Sequence, residues 1–292
     1  MSRGKTVSLV LGSGGARGNA HIGVVRWLLA HDYDIRSVSG CSIGALVGGV
    51  FAAGKLDEFE EWMTALTERE IFRLLDLSFS ITGLVKGERV IETLKDLVGD
   101  CDIENLPIAY TAVAASLDGE KEVWIQDGPL FEAIRASISL PLLLTPVERR
   151  GRTLIDGGIL NPVPIAPTFG DDTELTIAVS LAGRPESGRD EPPVAANDDS
   201  DERSGLRERI DAFIDRLGFG GDDDGPDRGP LDIANQAIDA MQAAISRQKL
   251  AAYPPDVLIE IPRNACGLMD FQRAEELIAL GRERAGQAME KR

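Results

Sequence analysis

Between residues 6 and 53 the chain shows the same local pattern twice: an apolar strand that breaks at glycine and continues as an apolar helix. The first unit has a strand at 6–11, the glycine loop GSGGARG at 12–18, and a helix with apolar residues at helical spacing. The second has a short strand, the turn GCSIG at 40–44, and an apolar helix to about residue 53. Two such units in succession are typical of a parallel sheet covered by helices, so the pattern predicts an α/β fold.

The rest of the chain extends this sheet and adds helices. The stretches PIAYTAVAAS (107–116) and KEVWIQ (121–126) predict a hairpin that turns at Asp118 and Gly119. Three more strands are predicted at RTLIDGG, ELTIAVSLAG and DVLIEI, and further helices at 56–66, 88–98, 130–136, from 230 to about 251, and from about 271. We expect a single domain over residues 1–292, with a three-layer α/β/α fold and a mostly parallel central sheet.

Residues 184–230 differ in composition from the rest of the chain. They hold fourteen acidic and seven basic residues, several prolines, and acidic tracts such as GDDDGPDRGP, which together are typical of a mobile insertion. Within them, one amphipathic helix at about 203–218 is predicted by apolar residues at helical spacing, namely Leu206, Ile210, Phe213, Ile214 and Leu217. That helix would cover the site, enter a lipid surface, or pack elsewhere as an inert part of the linker, and the sequence leaves these three fates open.

The net charge and the cysteines restrict the partners and the compartment. A formal net charge of −17 argues against nucleic acid as a partner and gives no general attraction to an anionic membrane. The three cysteines are widely spaced and form no metal or disulfide pattern, which favours a reducing compartment. No apolar run is long enough to span a bilayer, and the start of the chain leaves no room for a signal peptide. We expect a cytoplasmic protein, with peripheral contact at a membrane or micelle surface left open.

The glycine loop is a candidate anion site. Gly14 and Gly15 lie where a strand becomes a helix, and glycines there allow a sharp turn with backbone N–H groups pointing outward. The anion could be a phosphate or a transient oxyanion, and a purely structural turn is the other interpretation. A dinucleotide-binding loop is not indicated, because Arg17 stands where the last glycine of G-x-G-x-x-G belongs. The lysine of a phosphate-binding P-loop is also missing.

The GCSIG turn is a candidate nucleophile elbow. Ser42 lies between a predicted strand and a predicted helix, with Gly40 and Gly44 two places on either side. That context is what makes the G-x-S-x-G pattern a serine nucleophile on a sharp turn. A serine that only caps the following helix would fit the same residues. We favour the nucleophile because of its position at the end of a strand.

The general base for Ser42 cannot be a histidine later in the chain. The two histidines, His21 and His31, both precede Ser42, so the order serine, acid, histidine of the α/β-hydrolases cannot be built. His21 is interpreted as structural and His31 as solvated. Asp156 ends an apolar strand and is followed by Gly157 and Gly158, so it is expected at the carboxyl edge of the sheet with Ser42. Burial would raise its pKa and make it a better base, whereas an ordinary turn is the alternative interpretation.

Taken together, GSGGARG, GCSIG and the later Asp-Gly-Gly resemble the patatin-like phospholipases, and in particular the bacterial branch related to the neuropathy-target-esterase domain. Further stretches that resemble this branch are HIGVVRWL, ASISLPLLLTPV, NPVP and GLMDFQRAEELIALG. The resemblance covers residues 5 to about 183 and 231 to 285. In one departure, Ser13 interrupts the run of glycines that many members of the family have.

The resemblance implies a patatin-like three-layer fold and a serine hydrolase that cleaves acyl esters of lipids. It implies a Ser42–Asp156 dyad in place of a triad, and an oxyanion hole from Gly14 and Gly15, with Arg17 fixing the loop or adding positive charge. No metal or organic cofactor is implied. Apolar residues of LLDLSFSITGLV (74–85) and SLPLLL (139–144) could line an acyl pocket or be ordinary core. Two alternatives stay open, namely a catalytically weak acyl-lipid-binding or signalling module of this fold, and a phosphate- or nucleotide-binding α/β protein.

Overall fold

The computed structural model describes residues 4–74, 87–187 and 230–291. The predicted amphipathic helix at 203–218 and most of the predicted insertion at 184–230 lie outside these residues, and so does most of the apolar stretch at 74–85. The division of the chain into one domain with an insertion therefore stays a prediction. Among the described helices, none is both long and apolar enough to cross a bilayer.

The described strands form one sheet whose central part is parallel. They are β1 (Thr6–Leu11), β2 (Asp34–Cys41), β3 (Ala109–Ser116), β4 (Lys121–Ile125), β5 (Val147–Arg149), β6 (Arg152–Asp156), β7 (Leu175–Gly183) and β8 (Val257–Pro262). Their order is β5-β6-β3-β2-β1-β7-β8, and β4 pairs with β3 off this path. The strands from β3 to β8 in this order are parallel to one another, whereas β4, β5 and β6 pair antiparallel. The predicted mostly parallel sheet and the hairpin of β3 and β4 are confirmed.

Helices cover both faces of the sheet. They are α1 (Asn19–Ala30), α2 (Ile43–Ala52), α3 (Leu56–Ala65), α4 (Glu68–Leu74), α5 (Glu88–Val98), α6 (Leu130–Ser137), α7 (Pro230–Ala252) and α8 (Ala274–Glu290). Successive side chains of a strand point to opposite faces. Accordingly Leu9 and Leu11 of β1 pack in the large core with α1, α2 and α8, whereas Val10 packs in a smaller core with Leu250 of α7. The three-layer α/β/α architecture is confirmed.

The pairing of β3 explains how distant parts of the chain meet. β2 ends at Cys41 opposite Val113, and β6 takes over one residue further along, with Asp156 opposite Ala114. Because β4 pairs with β3 over the same residues as β6, β4 and β6 must occupy opposite edges of β3. β6 therefore shares an edge with β2, and the carboxyl ends of these two strands point toward each other.

Two short elements were not predicted. The helix α4 has seven residues and the strand β5 has three, which is too short for either to show a clear hydrophobic period. The last helix was expected from about residue 271, but a single 3-10 turn occupies Phe271–Arg273 and the α-helix begins at Ala274. Residues at helix ends often adopt this tighter turn.

Candidate active site

Ser42 lies on a sharp turn between β2 and α2. Its backbone has φ 55° and ψ −126°, a conformation that a non-glycine residue rarely adopts. A side-chain carbon on Gly40 would lie 2.4 Å from the carbonyl oxygen of Gly44, and one on Gly44 would lie 2.1 Å from that of Leu11. Only glycine fits at these two positions, because the turn brings the start of α2 directly against the ends of β1 and β2.

Asp156 contacts the hydroxyl of Ser42. The Ser42 Oγ donates a hydrogen bond to Asp156 Oδ2 at 2.5 Å, and the Gly158 N–H donates to Oδ1 at 2.7 Å. The thiol of Cys41 also points at Oδ1, at 3.9 Å. A side-chain carbon on Gly157 would lie 2.2 Å from the carbonyl oxygen of Val113, so the Asp-Gly-Gly turn also needs its glycine to lie this close to β3.

The environment of Asp156 makes its carboxylate a stronger base than an exposed one. The side chain is buried, with 1% exposure. Burial raises the pKa of Asp156 from 3.8 to about 6, although the hydrogen bonds from Ser42, Gly158 and Cys41 act in the opposite direction. The carboxyl group is therefore ionised at neutral pH and holds a proton more readily than a solvated aspartate does.

Neither histidine is hydrogen-bonded to Ser42. His21 is fully buried, and its Nε2 lies 2.8 Å from the carbonyl oxygen of Gly12, which requires that nitrogen to carry a proton. Burial lowers the pKa of His21 to about 4, so the ring is neutral. His31 stacks on Trp27 with ring centroids 3.8 Å apart. Among the described residues, the side chain that bonds the Ser42 hydroxyl is Asp156.

The glycine loop presents two backbone N–H groups without acceptors among the described residues. The neighbouring groups are used, because Ser13 N–H donates to the carbonyl of Pro162 at 2.8 Å and Ala16 N–H donates to that of Leu268 at 2.9 Å. Gly14 and Gly15, which lie between Ser13 and Ala16 in the chain, line the same cavity as Ser42 and Asp156. Gly15 has φ +58°, and a side-chain carbon there would lie 2.5 Å from the Leu268 carbonyl oxygen, so its conformation requires glycine.

Arg17 lies behind this loop and holds it. Its guanidinium, with 4% of the residue exposed, donates to the Gly14 carbonyl at 3.0 Å and to the carbonyls of Leu181 and Arg263. It also pairs with Asp239 of α7 at 3.0 Å. The C=O and N–H of a trans peptide point in opposite directions, so fixing the Gly14 carbonyl directs the Gly15 N–H away from Arg17. Arg17 is not among the described residues that line the cavity with Ser42.

The wall of this cavity is mostly apolar. Its lining includes Leu46, Met63, Leu94, Leu140, Leu143 and Leu144. Three leucines of SLPLLL are thus on the wall, whereas Leu142 in the same stretch is exposed. Of the stretch at 74–85, Leu74 lines the cavity and the remainder lies outside the described residues.

Ser137 also contacts the turn and was not among the residues predicted from the sequence. Its Oγ accepts a hydrogen bond from the Ser42 backbone N–H at 3.0 Å. The stretch ASISLPLLLTPV contains it, but nothing local in that stretch reveals a contact with a residue 95 positions away.

A family model described as "Patatin-like phospholipase" matches residues 9–169. The chain belongs to this family of patatin-type lipid hydrolases. Within the family it is related to the neuropathy-target-esterase (NTE) branch, since it is 45% identical to uncharacterized NTE family proteins of Mycobacterium tuberculosis and Mycobacterium bovis, over 97% of this chain and 91% of each of theirs. It is also 32% identical to the neuropathy target esterase sws of Drosophila melanogaster, over 59% of this chain and 14% of that protein.

Among solved structures, VipD from Legionella pneumophila aligns over 99% of this chain and 67% of its own, with 13% identity and a TM-score of 0.47. That similarity is too low to add to the assignment. The family resemblance inferred from GSGGARG, GCSIG and Asp-Gly-Gly is confirmed by the match and by the relatives.

Proposed function

We propose that the protein is a carboxylic ester hydrolase that cleaves acyl esters of lipids, with Ser42 as nucleophile and Asp156 as proton acceptor. The observation that carries the proposal is the 2.5 Å hydrogen bond from the Ser42 hydroxyl to the buried Asp156 carboxylate. Family membership supports the general activity, and the geometry supports the individual roles.

The reaction follows from this hydrogen bond in two halves. Ser42 Oγ attacks the acyl carbonyl carbon while its proton moves to Asp156 Oδ2, and Asp156 then passes that proton to the oxygen of the leaving alcohol. The acyl group is left as an ester on Ser42. A water molecule attacks that ester, Asp156 takes a proton from the water, and the proton returns to Ser42 Oγ as the fatty acid leaves.

The oxyanion formed at each attack needs hydrogen-bond donors. We assign this role to the N–H groups of Gly14 and Gly15, because they border the same cavity as Ser42 and have no acceptor among the described residues. Arg17 supports them by holding the Gly14 carbonyl from behind. Loss of one oxyanion donor typically reduces kcat by about 100- to 1,000-fold.

The apolar wall of the cavity favours a substrate with an alkyl chain. Leu46, Met63 and Leu143 offer no polar group that would recognise a sugar or a peptide, and they line the cavity that also holds the dyad. An acyl chain in this cavity would bury its methylene groups at about 0.8 kcal/mol each. The proposed substrate is therefore an acyl-ester lipid, met at a membrane or micelle surface.

A cytoplasmic location is proposed because all three cysteines are free.

The experiment that tests this function is a substrate screen on the purified full chain. p-Nitrophenyl esters of increasing chain length would be compared with phospholipids and lysophospholipids, and a fluorophosphonate probe would report an activated serine. We expect labelling at Ser42 and a preference for longer acyl chains. An acyl-lipid-binding module without catalysis would bind these lipids without turnover or labelling, and a phosphate-binding protein would do neither.

The pH dependence of catalysis should report the buried carboxylate. Asp156 accepts the serine proton only when ionised, and burial raises its pKa to about 6. We therefore expect kcat/KM for a soluble ester to rise with pH through about 6 and to level off above it. The measurement is a kcat/KM profile from about pH 4 to about pH 9, corrected with Ser42→Ala for uncatalysed hydrolysis. A limb near pH 4, where an exposed aspartate titrates at about 3.9, would contradict a buried base.

A further inference from the structure

Ser137 connects the nucleophile turn to the middle of the sheet. It is the last residue of α6 and is fully buried. Its hydroxyl accepts from the Ser42 backbone N–H at 3.0 Å and donates to the Val113 carbonyl at 2.6 Å. Because the hydroxyl hydrogen of Ser137 points at the Val113 carbonyl, a lone pair of the Ser137 oxygen is left to accept the hydrogen bond from the Ser42 N–H.

The Ser137 hydroxyl makes its two hydrogen bonds at the point where the chain leaves the sheet, and there they can hold the Ser42 turn in place. β2 pairs with β3 as far as Cys41 and Val113, and the chain leaves the sheet at the next residue, Ser42. The Ser137 hydroxyl spans that point, so it continues the connection between the two strands by one residue. Ser42 has φ 55°, and such conformations persist only where the surroundings enforce them.

The same segment also holds the other member of the dyad. The carbonyl of Ser139, two residues after Ser137, accepts the backbone N–H of Asp156 at 2.9 Å. Residues 137–139 therefore fix Ser42 through a side chain and Asp156 through the backbone. The distance between the two reacting groups depends on one short segment at the end of α6.

We propose that Ser137 is a positioning residue for the nucleophile: its hydroxyl holds the Ser42 backbone so that Oγ stays within hydrogen-bond distance of Asp156. This rests on the proposed function of Ser42. Ser137 is not a catalytic residue, because its hydroxyl already donates a hydrogen bond to the Val113 carbonyl and accepts one from the Ser42 N–H. The Ser42 N–H is thereby occupied, which is consistent with oxyanion donors that come from Gly14 and Gly15.

The test is Ser137→Ala, with Ser39→Ala as a matched control. Both serines are buried, but the Ser39 hydroxyl donates to the Pro164 carbonyl at 2.8 Å and, among the described groups, bonds neither Ser42 nor Asp156. We expect Ser137→Ala to lower kcat for a soluble ester by about 10- to 100-fold, with KM within about threefold, because small misplacement of a reacting group costs up to about 100-fold. The rate of fluorophosphonate labelling should fall in parallel. The midpoint of the pH profile should move up, because a Ser42 hydroxyl displaced from Asp156 no longer donates the hydrogen bond that lowers the pKa of that carboxyl group.

The control separates positioning from loss of stability. Ser39→Ala should lose thermal stability to a similar degree but keep kcat within about threefold of wild type. Ser137→Thr, which retains the hydroxyl, should recover part of the lost kcat. If Ser137→Ala does not fold, Ser137→Cys takes its place, since a thiol has similar size but is a weak donor and acceptor.

The proposal is overturned if the Ser137 variant keeps the wild-type kcat, or if Ser39→Ala loses as much kcat as Ser137→Ala at a similar melting temperature. Failure of the proposed function would look different, because wild type itself would then show no turnover or labelling that depends on Ser42. All variants are compared well below their melting temperatures, as the full chain and with the same soluble ester.

Discussion

Replacing Ser42 with alanine is expected to abolish ester hydrolysis and fluorophosphonate labelling while the protein stays folded. The acyl-enzyme forms on Ser42 Oγ, and the variant lacks this atom. Loss of the nucleophile in a serine hydrolase typically lowers kcat by roughly a million-fold. The fold should survive because alanine adds no atom to a turn whose tight contacts are made by Gly40 and Gly44. Turnover, labelling and a melting curve of the purified variant test this.

Ser39→Ala is the matched control for this variant. Ser39 lies three residues earlier in β2 and is also buried, but its hydroxyl donates to the Pro164 carbonyl at 2.8 Å and is not among the described groups that line the cavity. It should keep both turnover and labelling. Near-wild-type turnover by Ser42→Ala would rule out Ser42 as the nucleophile, whether or not Ser39→Ala keeps its activity.

Local sequence was sufficient to predict the elements around the nucleophile. The predicted strand at 6–11 coincides with β1, and the helix expected at 43–53 ends one residue earlier, at Ala52. Both follow from apolar runs bounded by glycines, which is a pattern carried by neighbouring residues. The turn at Ser42 is local for the same reason, since Gly40 and Gly44 permit a close approach that any side chain would block.

The long-range part of the site was only partly predictable. Asp156 was expected at the carboxyl edge of the sheet as the end of a further strand, and it does lie against Ser42. Asp156 is the last residue of β6, which pairs antiparallel with β3 and whose carboxyl end faces that of β2 along the same edge of β3. This pairing depends on residues far apart in the chain. The contacts of Ser137 and Arg17 depend on the same tertiary arrangement. For Arg17, the sequence left two roles open, and the contacts favour fixing the loop.

Replacing Asp156 with asparagine is expected to lower kcat/KM by roughly 1,000- to 10,000-fold, because an amide cannot accept the serine proton. The amide has the shape of the carboxyl group, so it can still accept from Gly158 N–H, and the variant should fold. Kinetics with one soluble ester measure the loss, and what activity remains should no longer show the limb at about pH 6 that the raised pKa of Asp156 gives wild type.

The same variant should be at least as stable as wild type at neutral pH. The pKa of Asp156 is raised from 3.8 in the unfolded chain to about 6 in the folded protein, so wild type loses stability as pH rises through this window. The rise corresponds to about 3 kcal/mol. Asparagine does not ionise, so the melting temperature of Asp156→Asn relative to wild type should increase between about pH 4 and about pH 7.

His21→Gln is the control that decides which group takes the proton. His21 is buried and its Nε2 donates to the Gly12 carbonyl, so glutamine retains a donor there, whereas alanine would leave a cavity under the glycine loop. A neutral ring with a pKa near 4, bonded to a backbone carbonyl, has no part in proton transfer from Ser42. We therefore expect His21→Gln to keep kcat within about tenfold of wild type, a loss that slight movement of the loop explains. An inactive His21→Gln beside an active Asp156→Asn, both folded, would reverse the assignment and make the buried carboxylate structural.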